Sequence, residues 1–227
     1  MNFFYKLQIY TNLLKESIKY FLNKGKKNKY NLFLEKYFKK NNSGLYIDVG
    51  CYHPFRLSNT KFLYDKGWKG INIDISRKSI DLFNIIRKND INLNIGIGAK
   101  NRKVFGYFQK KLYFSNTLSK DHSKTFLSNP IKKKIKIYTL SFIINRYFKN
   151  KNIDFLDIDC EGNDLEVLKG LNFKKNKFNL ISIEVHSYDK KTKKNSAEIH
   201  RIMKKNDFKL VFGKSESTKI FKNKFFN

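Results

Sequence analysis

Leu45-Tyr46-Ile47-Asp48-Val49-Gly50 is the stretch on which the reading of this chain turns. An apolar run broken by one acid and closed by a glycine describes a buried parallel strand that ends in a tight turn. A second stretch repeats the arrangement: Ile153-Asp154-Phe155-Leu156-Asp157-Ile158-Asp159-Cys160-Glu161-Gly162. Open α/β sheets bind ligands outside the carboxyl ends of their strands. Two strands ending in acids and a glycine therefore bring carboxylates from two directions into one crevice, the layout of a nucleotide-type cofactor site.

Outward from Gly50 the chain alternates strand and helix, which predicts a parallel sheet. Strands are expected at 45–49, 71–75, 91–97, 153–158 and 180–185, with an extra one over 104–108. Helices are expected at 58–66, 79–88, 140–148, 164–170 and 196–206, and a closing antiparallel hairpin pairs 208–212 with 218–221. Residues 109–133 read as a polar, irregular substrate loop. Ahead of the sheet, Phe3, Leu7, Tyr10, Leu13, Leu14, Ile18, Phe21 and Leu22 recur at helical spacing, Gly25-Lys26-Lys27-Asn28 interrupts, and a second helix runs from Tyr30 to Phe38. The expected organisation is an N-terminal helical extension, 1–42, and one larger domain, 43–227. The extension packs on that domain or, alternatively, lies on a membrane surface as a basic amphipathic segment.

The net charge is +29, from 48 Lys+Arg against 19 Asp+Glu. Such a balance invites nucleic acid or an anionic membrane as partner. Yet six of the cations are arginines, Arg56, Arg77, Arg87, Arg102, Arg146 and Arg201, and the rest are lysines. Readers of nucleic acid favour Arg for bidentate contacts, and abundant Lys, Asn, Ile, Phe and Tyr together are what AT-rich codons produce. Codon usage is the favoured explanation; any bias of lysines is expected at the crevice mouth, near Lys61, Lys110, Lys111 and residues 119–134. Cys51 and Cys160 have no zinc spacing and are read as free thiols. No stretch reaches the ~18 apolar residues of a membrane span, and the N-terminus lacks a leader's basic and apolar regions, so a cytoplasmic location is expected, with the membrane surface as an alternative.

After β-like residues 45–49 comes Asp48-Val49-Gly50-Cys51-Tyr52-His53-Pro54. A dinucleotide fingerprint needs G-x-G-x-x-G, and Tyr52 stands where its second glycine would be. An acid two residues before Gly50 suits a cationic group such as an amino group; otherwise Asp48 caps the next turn. Asp74 at the end of the second strand can accept from both hydroxyls of a ribose.

These blocks carry a resemblance. Tyr46-Ile47-Asp48-Val49-Gly50, Ser58-Asn59-Thr60, Lys66-Gly67-Trp68-Lys69-Gly70-Ile71 and Asp74 are similar to the FkbM-type S-adenosylmethionine-dependent methyltransferases. Asn94-Ile95-Gly96-Ile97-Gly98, the segment from Asp154 through Gly162 to Gly170, and Ile183-Glu184 follow in the family's order. The resemblance covers about residues 44–222; Cys51, His53 and the Asp at position 74, where Glu is commoner, depart from it. It implies a Rossmann-like class I methyltransferase, α/β, with a seven-strand mostly parallel sheet whose last strand is antiparallel. It also implies O-methylation, often of sugars.

With the strand-end reading, it makes Asp48, Gly50, His53 and Asn59 the first expected cofactor contacts. Asp74, Ile75, Gly96 and Asp159 complete that set for S-adenosylmethionine. Asp159, Glu184 and His186 are the catalytic candidates, since a sugar hydroxyl is a weak acid and a positioned base helps its transfer. His53 and His186 could equally be loop histidines, and Glu161 could cap the helix after it. Asp157, Asp159 and Glu161 alternate along one face and could hold a hard divalent cation, a less favoured alternative. The expected function is methyl transfer to a hydroxyl of a small molecule or cell-surface glycan precursor. The alternatives are an RNA ribose methyltransferase and a cofactor-binding but inactive interaction protein.

Overall fold

A computed structural model describes residues 3–23, 28–109, 116–186 and 188–226. In chain order the elements are α1 (Phe3–Leu22), α2 (Lys29–Tyr37), β1 (Leu45–Val49), α3 (Lys61–Asp65), β2 (Lys69–Ile73) and α4 (Arg77–Ile86). Next come β3 (Ile91–Leu93), β4 (Gly96–Ile97), β5 (Arg102–Phe108), α5 (Lys120–Phe126), β6 (Ile131–Tyr138) and α6 (Leu140–Tyr147). The chain closes with β7 (Ile153–Ile158), α7 (Asp164–Lys169), β8 (Phe178–Glu184), α8 (Lys190–Lys205), β9 (Phe208–Phe212) and β10 (Thr218–Asn223).

Seven strands form one sheet in the order β3-β2-β1-β7-β8-β10-β9. β10 runs antiparallel to both β8 and β9, and the other pairings are parallel. The strand order reverses between β1 and β7, so the crevice expected from the sequence opens at their carboxyl ends.

Alternation along the strands separates two faces. Ile47, Val49, Ile71, Ile73, Leu156 and Ile158 point to one, where they pack with Leu140, Ile143 and Ile144 of α6, Val167 and Leu168 of α7, and Ile199 and Met203 of α8. Tyr46, Phe155 and Leu180 point to the other, against Leu34 of α2, Phe38, Leu63 and Trp68. α2 is thus built into the sheet's second layer, and α1 follows it by packing Ile9 and Leu13 on Leu82 of α4.

One row of the second face is polar. Asn72, Asp48, Asp157 and Ser182 are register partners across β2, β1, β7 and β8, and all four are buried. Two residues further along each chain stand Asp74, Gly50, Asp159 and Glu184, and two further again Ser76, Tyr52, Glu161 and His186. The two-residue period of the strands is what lines up the acids.

Several expectations are corrected. The strand over 91–97 is two: Ile95 N bonds back to Leu93 O at 3.1 Å, the Asn94 side chain is held by the carbonyls of Asp74 and Ile75, and Gly96–Ile97 joins a different sheet. That three-stranded sheet, β4-β6-β5, contains β6, whose start falls in the expected loop and whose remainder belongs to no expected element. Its run Ile131-Lys-Lys-Lys-Ile135 reads as polar because an antiparallel strand needs one covered face at most. Within the expected loop 109–133, residues 110–115 lie outside the described set, and α5 and the start of β6 are regular. α8 begins six residues before the expected 196, at a capping box in which Asp189 accepts from Thr192 N and Thr192 Oγ1 accepts from Asp189 N. Its lysine-rich first turns carry no apolar period, so the cap sets the start.

Candidate active site

Two adjoining clefts occupy the carboxyl ends of β1, β2 and β7, and both are lined by Gly50 and Asp159. The first runs past Ile73, Asp74 and Ile75 to Ile95, Gly96 and Ile97. The second lies among Asp48, Asn59, Asp157, Asp159 and Glu161. Gly50 has φ +90°, and a Cβ there would fall 1.8 Å from the Asp159 carbonyl oxygen. Only glycine lets the two strand ends approach this closely, with Asp159 N donating to Val49 O at 2.9 Å.

Asp74 accepts from Tyr52 N at 2.9 Å through Oδ2 and from Ser76 N at 2.6 Å through Oδ1. Those bonds fix its plane at the cleft wall and leave one lone-pair direction on each oxygen for a ligand's hydroxyls. Burial raises its pKa to about 6, against the pull of the two N–H groups. Asp48 accepts from Thr60 Oγ1 at 2.6 Å and is raised to about 7, first by burial and then by its neighbour Asp157. Asp157 is itself held by the Tyr30 hydroxyl at 3.0 Å and Asn59 Nδ2 at 2.9 Å, and burial raises it too.

Asp159 is pushed well up by burial and by Glu184, Asp164, Asp157 and Glu161 around it. Glu184 lies beside Asp159, and burial with the nearby Asp164 and Glu161 raises it to about 8. Glu184 Oε2 lies 3.0 Å from His186 Nε2. Asp164 accepts from Cys160 N at 2.7 Å and Gly162 N at 3.1 Å, folding the loop after β7 so that Glu161 and Asp159 face the cleft; it too is raised, to about 6, by burial. In a chain of net charge +29, the crevice is a concentrated negative pocket.

Of the residues expected to meet the cofactor, Asp48, Gly50, Asn59, Asp74, Ile75, Gly96 and Asp159 line the two clefts. His53 does not. It is fully buried, its Nδ1 accepts from Phe55 N and Arg56 N, and its Nε2 donates to Asn12 of α1 at 2.9 Å; burial lowers its pKa to about 4. Glu184 and His186 sit beside the second cleft through Asp159 and Glu161. Asp157, Asp159 and Glu161 all line the second cleft, but among the described residues their ligand atoms do not converge as a cation cage; one carboxylate oxygen of Glu161 lies 3.0 Å from His122 instead. Lys61 is buried and paired with Asp65 instead of standing at the mouth, while Lys110 and Lys111 lie outside the described residues. Cys51 and Cys160 are both free, their thiols pushed up by burial.

Sequence reasoning missed Arg87. Its guanidinium is fully buried, donating to Thr60 Oγ1 at 2.7 Å, Tyr46 Oη at 3.2 Å, Asn72 Oδ1 at 3.3 Å, Ser58 Oγ at 2.6 Å and Pro54 O at 3.1 Å, over the face of Phe83. It fastens the loop after β1 to the sheet and, through Thr60, orients Asp48. Nothing in a lone arginine at a helix end signals this.

A sheet of this strand order, with a glycine turn and acids closing β1, β2 and β7, defines a class I methyltransferase fold. The chain belongs to the FkbM methyltransferase domain family, whose model matches residues 48–210, and it is an S-adenosylmethionine-dependent methyltransferase. Among solved structures it is similar to the METTL16 methyltransferase domain at 12% identity and TM-score 0.49, over 87% of this chain and 67% of that one. It is also similar to a TehB-like SAM-dependent methyltransferase from Corynebacterium glutamicum, at 10% identity and TM-score 0.45, over 96% of this chain and 100% of that one. No curated protein sequence matches it with significance.

Proposed function

We propose that the protein transfers a methyl group from S-adenosylmethionine to a hydroxyl, with a sugar or glycan precursor as acceptor. The observation that carries this reading is the acidic crevice: carboxylates of raised pKa crowd a cleft whose far wall is apolar. A cationic ligand relieves that crowding. The residues fit the cofactor end to end: Asp74 for ribose hydroxyls, Ile75, Ile95 and Ile97 for the adenine faces, and Asp48 with Asp159 for the ammonium. Bound there, the cofactor supplies an electrophilic methyl on a sulfonium.

The chain's part is to position and to move a proton. Asp159 and Glu184 are neighbouring carboxyls at the cleft edge, placed to take the acceptor's hydroxyl proton as its oxygen bonds to carbon. Alignment of acceptor oxygen and methyl carbon can supply much of the rate. Phe126 and Tyr188 stand exposed beside His186, an edge-to-face aromatic pair 6.0 Å apart that suits the apolar face of a sugar ring. Labelled methyl transfer to a panel of glycans, small hydroxylated acceptors and RNA tests the assignment. Label in sugar hydroxyls at physiological salt is expected; sequence-selective label in RNA under those conditions contradicts it, as does no transfer to any hydroxyl.

Because Asp48 and Asp74 carry raised pKa values of about 7 and about 6, binding displaces their protons, the ammonium acting on Asp48 and the donating ribose hydroxyls on Asp74. Affinity for S-adenosylmethionine is therefore expected to fall as pH drops from 8 to 5.5, by up to about tenfold per pH unit for each proton released. Calorimetry in two buffers of different ionisation heat reads the release directly; a pH-independent affinity would remove both acids from the site.

α1 supports peripheral membrane association. Ile9 and Leu13 face inward, whereas Phe3, Leu7, Tyr10, Leu14, Ile18 and Phe21 form an exposed stripe on its other side. At 100° per residue that stripe lies between Lys6 and the pair Lys15 and Lys19, so the helix has a second apolar face edged by cations. Among the described residues no helix is long and apolar enough to cross a membrane. Co-sedimentation with vesicles rich in phosphatidylserine is expected and should weaken at least tenfold in Leu7→Asp/Leu14→Asp or at high salt. Binding that is equal on neutral vesicles, or self-association in place of binding, argues against it.

A further inference from the structure

Beyond the second cleft, three side chains from distant parts of the chain converge. His122 comes from α5, Glu161 from the loop after β7 and His186 from the end of β8, and one ligand atom from each lies within 4.8 Å of the other two. His122 is buried, and neither of its ring nitrogens has a hydrogen-bond partner; His186 Nε2 and Glu184 Oε2 are likewise unpartnered and buried. Glu161 Oε2 reaches His122 Nε2 at 3.0 Å, and Glu184 Oε2 reaches His186 Nε2 at 3.0 Å, both without hydrogen-bond geometry. Buried imidazoles ordinarily satisfy at least one nitrogen. One ligand atom each of His122, Glu161 and His186 converges here, and the unpartnered imidazole nitrogens among them call for a shared partner.

The backbone is shaped around this point. Glu161 has φ +51°, an uncommon conformation for a side-chain-bearing residue, and its carbonyl accepts from Thr117 Oγ1 at 2.8 Å. Gly162 follows at φ +87°, with the His122 ring 3.4 Å from where a Cβ would stand. The segment carrying α5 is thereby pressed onto the strand ends.

We propose that His122, Glu161 and His186 form a binding site for a first-row divalent transition metal, with Glu184 as a neighbouring fourth oxygen. Two imidazoles and a carboxylate select zinc, iron(II), cobalt or manganese over calcium or magnesium, which take oxygen. A tetrahedral ion about 2.1 Å from each ligand sets them roughly 3.4 Å apart, so the triangle tightens modestly on loading. Three protein ligands leave a position for water or Glu184, on the side where Glu161 lines the cleft. The ion ties α5 to the ends of β7 and β8.

The test uses the full chain, stripped with a chelator and titrated with Co2+ and then Zn2+. Calorimetry should show one equivalent bound, Co2+ should develop the visible d–d bands of a low-coordinate nitrogen/oxygen site, and Zn2+ should raise the unfolding temperature. His122→Ala and His186→Asn should each weaken Co2+ binding at least tenfold and abolish the d–d bands. Their unfolding temperature without metal, compared with that of the wild-type chain, shows whether each is folded; His186→Asn, at a partly exposed site, keeps the test open if His122→Ala is not. Binding of S-adenosylhomocysteine, measured in the same samples, reports separately on the cofactor cleft. Absence of saturable Co2+ binding, or binding that survives in a His122→Ala/His186→Asn double variant, would overturn the site.

Discussion

Glu184→Gln is expected to lower turnover by about 10²–10⁴-fold, the range for loss of a positioned proton acceptor, while leaving the affinity for S-adenosylmethionine within a few-fold. The substitution keeps the shape of the side chain and its contact with Asp159, and removes the carboxylate from the pair. Glu184 is absent from the lining of both clefts, so its loss belongs in kcat and not in cofactor binding. Asp159→Asn should lose turnover as well, but with weaker cofactor binding, because Asp159 lines both clefts. Steady-state kinetics with separate calorimetry distinguishes the two variants. A Glu184→Gln enzyme of undiminished kcat would exclude the carboxyl pair from proton transfer.

Arg87→Ala is expected to destabilise the fold by at least ~3 kcal/mol, the scale for removing one member of a buried charged network. Five buried or part-buried hydrogen bonds, among them those to Thr60 Oγ1 and Ser58 Oγ, lose their donor, and Asp48 loses the countercharge of Arg87. Arg87→Lys should recover little, since an ammonium cannot reach both sides of the fork. Urea unfolding gives the difference from the midpoint. A shift under ~1 kcal/mol, the net worth of one ordinary hydrogen bond, would mean the loop after β1 holds itself.

Strand-end chemistry was the legible part of the site. β1 and β7 coincide with the ranges expected from the sequence because buried parallel strands are predominantly apolar runs, here broken only by acids, and the two-residue period puts Asp157, Asp159 and Glu161 in line with Ser182, Glu184 and His186. What escaped was whatever depends on convergence. Arg87 looks like a solvated base until Tyr46, Asn72 and the 54–60 loop close around it. His53 borders the glycine turn in sequence yet faces α1, because its ring caps the turn at Phe55 and Arg56. His122 had no local context at all; only the packing of α5 on Gly162 brings it to Glu161. β6 hid behind its lysines, which an exposed strand face tolerates.

The central claim, that the acidic crevice between β1, β2 and β7 holds S-adenosylmethionine, is tested most directly by calorimetric titration of its demethylated product, S-adenosylhomocysteine, into the wild-type chain and into Asp74→Ala. One equivalent should bind the wild type in the micromolar range, about −8 kcal/mol. Asp74→Ala should weaken binding by ~1–3 kcal/mol, the cost of leaving two ligand hydroxyls without their acceptor. No saturable heat with the wild type, or equal affinity in a folded Asp74→Ala protein, would contradict the account.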